Sequence, residues 1–319
     1  MAADAKIVIL TGANSGIGKA AAARFARAGL RVVMACRDAE RGERARREVV
    51  EGSGSEAVEV LPLDLSSFAS VRAFADAFLD RYPRLDLLIH NAGTFEHGLS
   101  TYQYSADGLE RTFAINTFGP FLLTERLLDA LARSEDPRVL NAGSTNLLNF
   151  YDPKRTIEFD NLRGEHADTR PYRSYKMYGD SKMGLLLLTR KMAEVYADRG
   201  IRVNCVMIPT VRIERASLQR FHSWYRWIAP LLQVYNPFAL SPAQMAEVYH
   251  HLCTAEAFRD VTGALIDHRH RVLPALPPDR RLPPLGILRE LLATRHAPPY
   301  AGDPENVRRM WDLARAVVA

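Results

Sequence analysis

The chain has 319 residues, 47% of them apolar, enough to bury the core of one large α/β domain or of two small ones, and no internal repeat divides it. Its formal charge of +5 rests mostly on dispersed arginines, without the basic and aromatic interleaving by which nucleic-acid binders hold phosphates, so no nucleic-acid partner is expected. Cys36, Cys205 and Cys253 are odd in number and wrongly spaced for a disulfide framework or a zinc site, so no metal is expected.

The first six residues lead straight into a strand-like run, without the long apolar stretch of a secretion signal or membrane anchor; a cytoplasmic protein with no transmembrane segment is expected. Ile7-Val8-Ile9-Leu10 reads as a parallel strand buried on both faces. Thr11-Gly12-Ala13-Asn14-Ser15-Gly16-Ile17-Gly18 follows, and then an alanine-rich helix. Strand, glycine turn and helix are in the order that lets backbone N–H groups and a helix N-terminus approach a pyrophosphate, although three residues rather than one separate the first two glycines. Gly12, Asn14, Ser15, Gly16, Ile17 and Gly18 are therefore candidate cofactor contacts.

The second strand, Arg31–Ala35, runs into Cys36-Arg37-Asp38 about where a dinucleotide fold meets the adenosine ribose. An acid at that point would accept from a free 2′-hydroxyl, whereas the Arg37 guanidinium suits a 2′-phosphate, pointing to NADP(H); the alternative is a solvated start to the basic helix Ala39–Val50. A third strand, Val58–Pro62, is followed by Asp64, which either meets the adenine edge or caps the next helix, Phe68–Leu79, with Leu65 beside it in the same candidate set. Strand Leu85–His90 opens onto the small residues Asn91-Ala92-Gly93, where a ligand would cross an open sheet. The helix expected from about Ser105 to Ala132 carries Asn116 in its middle with Gly119-Pro120 close behind, which predicts a kink. A fifth strand, Arg138–Ala142, delivers Gly143 and Ser144.

After an insert, Asn146–Arg173, which is expected to shape one wall of a substrate site, Tyr178 and Lys182 lie one turn apart on a long helix, Ser174–Arg199, with Gly200 as its stop. At that spacing an ammonium can favour the phenolate and lower a pKa that is about 10 when unperturbed, making the tyrosine a proton donor or acceptor near neutral pH. The sixth strand, Ile201–Met207, leads to Pro209 and Thr210 and then to the most aromatic stretch of the chain, Glu214–Leu240, with Phe221, Trp224, Tyr225, Trp227, Tyr235 and Phe238. That stretch reads as a lid over a flat apolar substrate, as ordinary helix packing, or as a surface dipping into a membrane interface. Prolines from Pro274 to Pro299 break regular structure around a short helix, Leu285–Thr294, before a final helix, Pro304–Val318.

In this order, the Thr11–Gly18 turn, Asp64, Asn91-Ala92-Gly93, Asn116, Ser144, Tyr178 and Lys182 resemble the short-chain dehydrogenase/reductase family over roughly residues 6–270. The stretches Phe113–Thr124, Phe159-Asp160-Asn161-Leu162 and Met310-Trp311-Asp312-Leu313 are similar to its retinol dehydrogenase and protochlorophyllide reductase branch. The resemblance implies a single Rossmann-type doubly wound parallel sheet of about seven strands with helices on both faces, spanning residues 1–270 and followed by an extension over 271–319. It implies NADP(H) as cofactor, and a tetrad in which Tyr178 exchanges the proton and Ser144 holds the substrate oxygen. Lys182 would lower the tyrosine pKa and bind the nicotinamide ribose, and Asn116 would hold a relay water. The implied activity is hydride transfer to or from a bulky apolar or aromatic alcohol, ketone or aldehyde, or a conjugated double bond. A catalytically weak NADP(H)-binding sensor or scaffold is the alternative. Two departures stand out: the loop with Thr210 where relatives carry glycine and Ile213 where a threonine contacts the nicotinamide amide, and the long insert Asn146–Arg173. In this family the two long helices Leu109–Ala132 and Ser174–Arg199 often form a homodimer face.

Overall fold

All five residues of β1 (Ile7–Thr11) are buried, as a strand covered on both faces requires. The computed structural model describes residues 5–96, 98–212, 239–280 and 282–319. Joined in parallel to β1 are β2 (Arg31–Cys36), β3 (Val58–Pro62), β4 (Leu87–His90), β5 (Arg138–Ala142), β6 (Arg202–Met207) and β7 (Leu265–Asp267), while β8 (Val272–Leu273) is antiparallel. The order is β3-β2-β1-β4-β5-β6-β7-β8. The expected parallel strands are all present, and β8 is a short hairpin arm added at the edge. Asp267 builds its turn, Oδ1 accepting from the backbone of Arg269 at 2.9 Å and Arg271 at 2.8 Å, a contact that strand periodicity does not reveal.

Alternate β1 side chains enter different cores. Val8 and Leu10 pack with α1 (Gly16–Arg27), α2 (Ala39–Ser53) and α7 (Pro242–Thr254), whereas Ile7 and Ile9 pack with α3 (Phe68–Leu79), α5 (Gly119–Leu131) and α6 (Ser174–Val195). The strand order reverses between β1 and β4, so the loops leaving their carboxyl ends part and open a crevice there. The helix α7 was not anticipated, although Ser241 and Gln244 form a capping box at its start and Pro242 stands in its first turn.

The helix expected from Ser105 begins only at Arg111. Gly108 takes φ 71°, and the Asp107 carboxylate accepts from the Phe68 N–H at the start of α3 (2.9 Å). Glu110 is the actual cap, accepting from Phe113 N–H at 2.9 Å, and opens α4 (Arg111–Phe113). The expected kink is a π-turn, Ala114–Phe118, that leads directly into α5. Gly119 is required there, because a Cβ would collide with the Leu65 carbonyl.

The C-terminal segment forms α8 (Pro284–Ala293), α9 (Pro299–Gly302) and α10 (Pro304–Val318). Asp303 caps α10, accepting from Glu305 N–H at 2.9 Å. α10 lies along α6 with Met310 and Ala314 buried, Trp311 packs edge-on to Phe121 at 5.3 Å between ring centres, and Arg315 reaches Glu125 of α5 at 3.1 Å. The chain's own last helix thus occupies part of the α5 and α6 surface where the family resemblance put a dimer contact.

Candidate active site

Because β1, β4, β5 and β6 are parallel, Thr11–Gly18, Asn91–Gly93, Ser144 and Pro209-Thr210 all emerge at one edge of the sheet. Gly12 (φ 67°) and Gly16 (φ 53°) hold conformations that a side chain resists, which bends the loop under the N-terminus of α1. A Cβ on Gly12 would lie 3.0 Å from the Ala92 Cα, and one on Gly18 would strike the Gly12 carbonyl and lie 2.7 Å from Asn91 Nδ2, so both glycines are needed to bring the two loops together. Asn91 donates to the Thr11 carbonyl (3.0 Å) and accepts from the Tyr249 hydroxyl (3.2 Å), while Thr11 Oγ1 accepts from Ala92 N–H (2.9 Å).

These residues fit a dinucleotide. The first turn of α1 holds no acid and Ser15, its N-cap, makes no side-chain cap bond, leaving the positive end of the helix available to an anion. Around Gly16 nothing lies within 4 Å of where a Cβ would stand, so the loop faces open space. At the end of β2 the Cys36 thiol is buried and pushed up to about 11, hence neutral, and Arg37 is exposed with no ion pair among the described residues. Asp38 is engaged as the cap of α2, accepting from Arg41 N–H at 3.0 Å. Asp64 Oδ1 accepts from the backbone and hydroxyl of Ser66 (2.9 and 2.6 Å), a turn within the loop, and Leu65 is buried beside it. The cap of α3 is Ser67, whose hydroxyl accepts from Ser70 N–H at 3.3 Å, which corrects the capping alternative for Asp64.

The π-turn buries Asn116 completely and turns its amide toward the loop after β4. Its Oδ1 accepts from Thr94 N–H (2.8 Å), and its Nδ2 donates to the Thr94 carbonyl and to Ser181 Oγ (both 3.0 Å). Thr94 and Ser181 were not singled out by sequence, and their only signal is adjacency to Gly93 and Lys182. Lys182 Nζ donates to the Ala142 carbonyl at 2.8 Å, and a Cβ on Gly93 would lie 3.1 Å from that ammonium and 3.3 Å from Asn116 Oδ1. Lys182, Asn116 and Gly93 therefore converge.

Ser144 follows β5 in a loop zipped to β6, with Gly143 N–H donating to Val206 (2.8 Å) and Thr145 N–H to Ile208 (3.1 Å). Its hydroxyl accepts from Asn146 N–H at 3.2 Å. Burial raises the Tyr178 phenol above its ordinary value, and the neighbouring Ser144 hydroxyl pulls it back. The expectation that Lys182 depresses the tyrosine is corrected here. The ammonium lies 5.8 Å from the ring centre, is tied to Ala142, and is itself brought down to about 8 by burial. Phe95, also missed by sequence, stacks on Tyr178 at 4.6 Å and 17°, and meets Tyr175 tilted at 6.2 Å. The insert touches this rim where Asn149 Nδ2 donates to the Tyr175 hydroxyl at 3.3 Å.

Thr210 is exposed, and the chain leaves beyond Arg212 and returns through Ala239, with Val211 bridged to Leu240. The aromatic residues from Phe221 to Phe238, and Ile213, lie outside the described residues. A serine and a tyrosine placed together can polarise a substrate oxygen and exchange a proton with it, and a lysine amine and an amide buried beside them can order hydroxyl groups or water.

Comparison with known proteins agrees with this geometry. The family model for short chain dehydrogenase matches residues 6–152, and that for enoyl-(acyl carrier protein) reductase matches residues 165–268. Human retinol dehydrogenase 11 is 34% identical over 258 residues, covering 81% of this chain and 76% of that protein. Two solved structures share the fold. One is a short chain dehydrogenase of Escherichia coli CFT073 complexed with NADPH (TM-score 0.62, 22% identity, 83% of this chain and 96% of that one). The other is 3-ketoacyl-(acyl-carrier-protein) reductase of Brucella melitensis complexed with NADH (TM-score 0.60, 24% identity, 82% and 96%). The chain belongs to the short-chain dehydrogenase/reductase family, in its retinol dehydrogenase branch, and is a nicotinamide-dependent oxidoreductase acting on CH–OH or C=O groups.

Proposed function

We propose that this enzyme uses NADP(H) and acts on a bulky apolar or aromatic alcohol, ketone or aldehyde, with Tyr178 as the proton donor and acceptor. The observation that carries the reading is the convergence of Lys182 and Asn116 on Gly93, with the Ser144 hydroxyl close enough to Tyr178 to lower its pKa. Gly12, Asn14, Ser15, Gly16, Ile17 and Gly18 would hold the pyrophosphate, Arg37 the 2′-phosphate, and Asp64 and Leu65 the adenine. Asn91, Ala92 and Gly93 would line the crossing, Tyr178 and Lys182 would meet the nicotinamide ribose, and Pro209 and Thr210 the nicotinamide amide.

When bound, the nicotinamide supplies or accepts the hydride at the substrate carbon. Ser144 donates to the substrate oxygen and stabilises the negative charge that builds there in reduction. Tyr178 gives that oxygen its proton, and gains it back in the opposite direction. Lys182, near its own titration point at about 8, can make good the proton that Tyr178 has given, and Asn116 fixes the loop against which both work. The aromatic pair Phe95 and Tyr175 at the rim suits a flat apolar substrate, as does the relation to a protein named for retinol. NADPH over NADH rests on Arg37 and the neutral Cys36, since relatives of this fold are found with either cofactor.

Following loss of reduced-nicotinamide absorbance with a panel of ketones and aldehydes, Tyr178→Phe is expected to lower turnover at least about 100-fold while leaving NADPH affinity nearly unchanged. Turnover retained in that variant would remove Tyr178 from the role.

A further inference from the structure

α8 is packed with its polarity reversed. Its Glu290 is buried, with the carboxylate accepting from the N–H of Arg295 (2.9 Å) and His296 (3.2 Å) and from the Tyr151 hydroxyl (3.3 Å), and His296 Nδ1 lies 2.8 Å away. The helix cannot roll to hide other residues without stripping a buried carboxylate of these partners. Its opposite side carries Leu285, Leu288, Leu291 and Leu292, which are 72%, 49%, 45% and 80% exposed and are the only exposed leucines among the described residues. At about 100° per residue the four occupy roughly one third of the circumference, a continuous apolar stripe facing outward.

The charge around the stripe is mainly positive, with Asp279 as the exposed acid of the stretch. Residues 268–296 hold six arginines against two acids, so this short stretch supplies +4 of the formal +5 of the chain, and one of the two acids is the buried Glu290. Arg269, Arg280, Arg289 and Arg295 are exposed and make no ion pair among the described residues. A second copy meeting this face about a two-fold axis would set those arginines against themselves, whereas an anionic surface would neutralise them. No helix of the described residues is long and apolar enough to cross a membrane, and α8, at ten residues, suits attachment in the headgroup plane.

We propose that α8 is a docking face for an anionic phospholipid surface, with Leu285, Leu288, Leu291 and Leu292 entering the acyl boundary and the flanking arginines against the headgroup phosphates. The inference rests on the exposed face alone and is independent of which substrate the active site takes. The test is co-sedimentation of the full chain with vesicles of phosphatidylcholine, with and without phosphatidylserine. Binding is expected with phosphatidylserine and is expected to fall as salt is raised. Leu285→Ser/Leu292→Ser should weaken it at least tenfold, and Arg289→Gln about fivefold, with the thermal melts of both variants unchanged. The proposal is overturned by equal binding to neutral vesicles or by binding that survives the leucine substitutions. It is equally overturned by a concentration-dependent dimer, seen by analytical ultracentrifugation, that the leucine substitutions abolish while vesicles bind nothing.

Discussion

Replacing Gly18 by alanine separates two opposed effects. In a helix the change ordinarily stabilises by up to about 1 kcal/mol, because glycine has more conformational freedom to lose. Here the added Cβ would collide with the Gly12 carbonyl and stand 2.7 Å from Asn91 Nδ2. The carbonyl is main chain in a loop already held at φ 67°, and Asn91 is fixed between Thr11 and Tyr249, so neither can yield cheaply. Overpacking of this kind costs about 1–3 kcal/mol, which outweighs the helical gain and predicts net destabilisation of about 1–2 kcal/mol. Gly52, in the last turn of α2, has nothing within 4 Å of its Cβ position, so Gly52→Ala should stabilise by about 0.5 kcal/mol. Urea unfolding followed by circular dichroism compares the two midpoints. Opposite shifts are expected, and a Gly18→Ala protein as stable as wild type would refute the close approach of the two loops.

Arg37→Ala should lower NADPH affinity about ten- to a hundredfold and NADH affinity far less, by calorimetric titration; equal losses would mean that the arginine supports its loop instead of reading a phosphate. His90 is fully buried and its pKa is lowered to about 3 by desolvation, so below its ordinary 6.5 the unfolded chain binds a proton that the folded one refuses. Stability should therefore fall as pH drops from 6.5 toward 3, by up to about 1.4 kcal/mol per unit from this group, and His90→Gln should flatten the slope of urea midpoints between pH 7 and 4.5. Lys182 behaves in the same sense at higher pH. Its proton leaves the folded chain near pH 8 and the unfolded chain near 10.5, so its contribution makes stability rise between those values. A wild-type minus Lys182→Met difference that stays constant across that window would contradict the burial of a bare ammonium.

The sheet was legible because its strands are continuous apolar runs ended by glycine or small residues, as at Ile7–Thr11 into Gly12 and Leu87–His90 into Asn91. The kink at Asn116 was legible for a local reason, a poor helix former followed by Gly119-Pro120. What escaped was tertiary. Asp107 holds the start of α3 from a distant loop, Tyr249 sits far along the chain and pins Asn91, and Thr94 and Ser181 clasp Asn116 from two elements. The spacing of Tyr178 and Lys182 correctly placed them on one helix, but spacing gives no account of the Ala142 carbonyl, which turns the amine from the phenol toward Gly93.

The costs in this fold gather where the chemistry is proposed. α2, α3, α7 and α10 each have a side-chain cap, from Asp38, Ser67, Ser241 and Asp303, whereas α1, whose N-terminus meets the carboxyl edge of the sheet, has none, as is also true of α6, α8 and α9. Two glycines with positive φ and a π-turn lie at the same edge. Each is a group whose natural complement is a ligand, an anion for the uncapped helix and hydroxyls for the amine. Lys182 makes the point most strongly. An ammonium has three donors, and among the described residues one carbonyl accepts from it, in a site dry enough to pull its pKa to about 8. A ligand hydroxyl beside Gly93 would satisfy a second donor and restore the charged form, so occupation of this crevice should return free energy that folding alone leaves unrecovered.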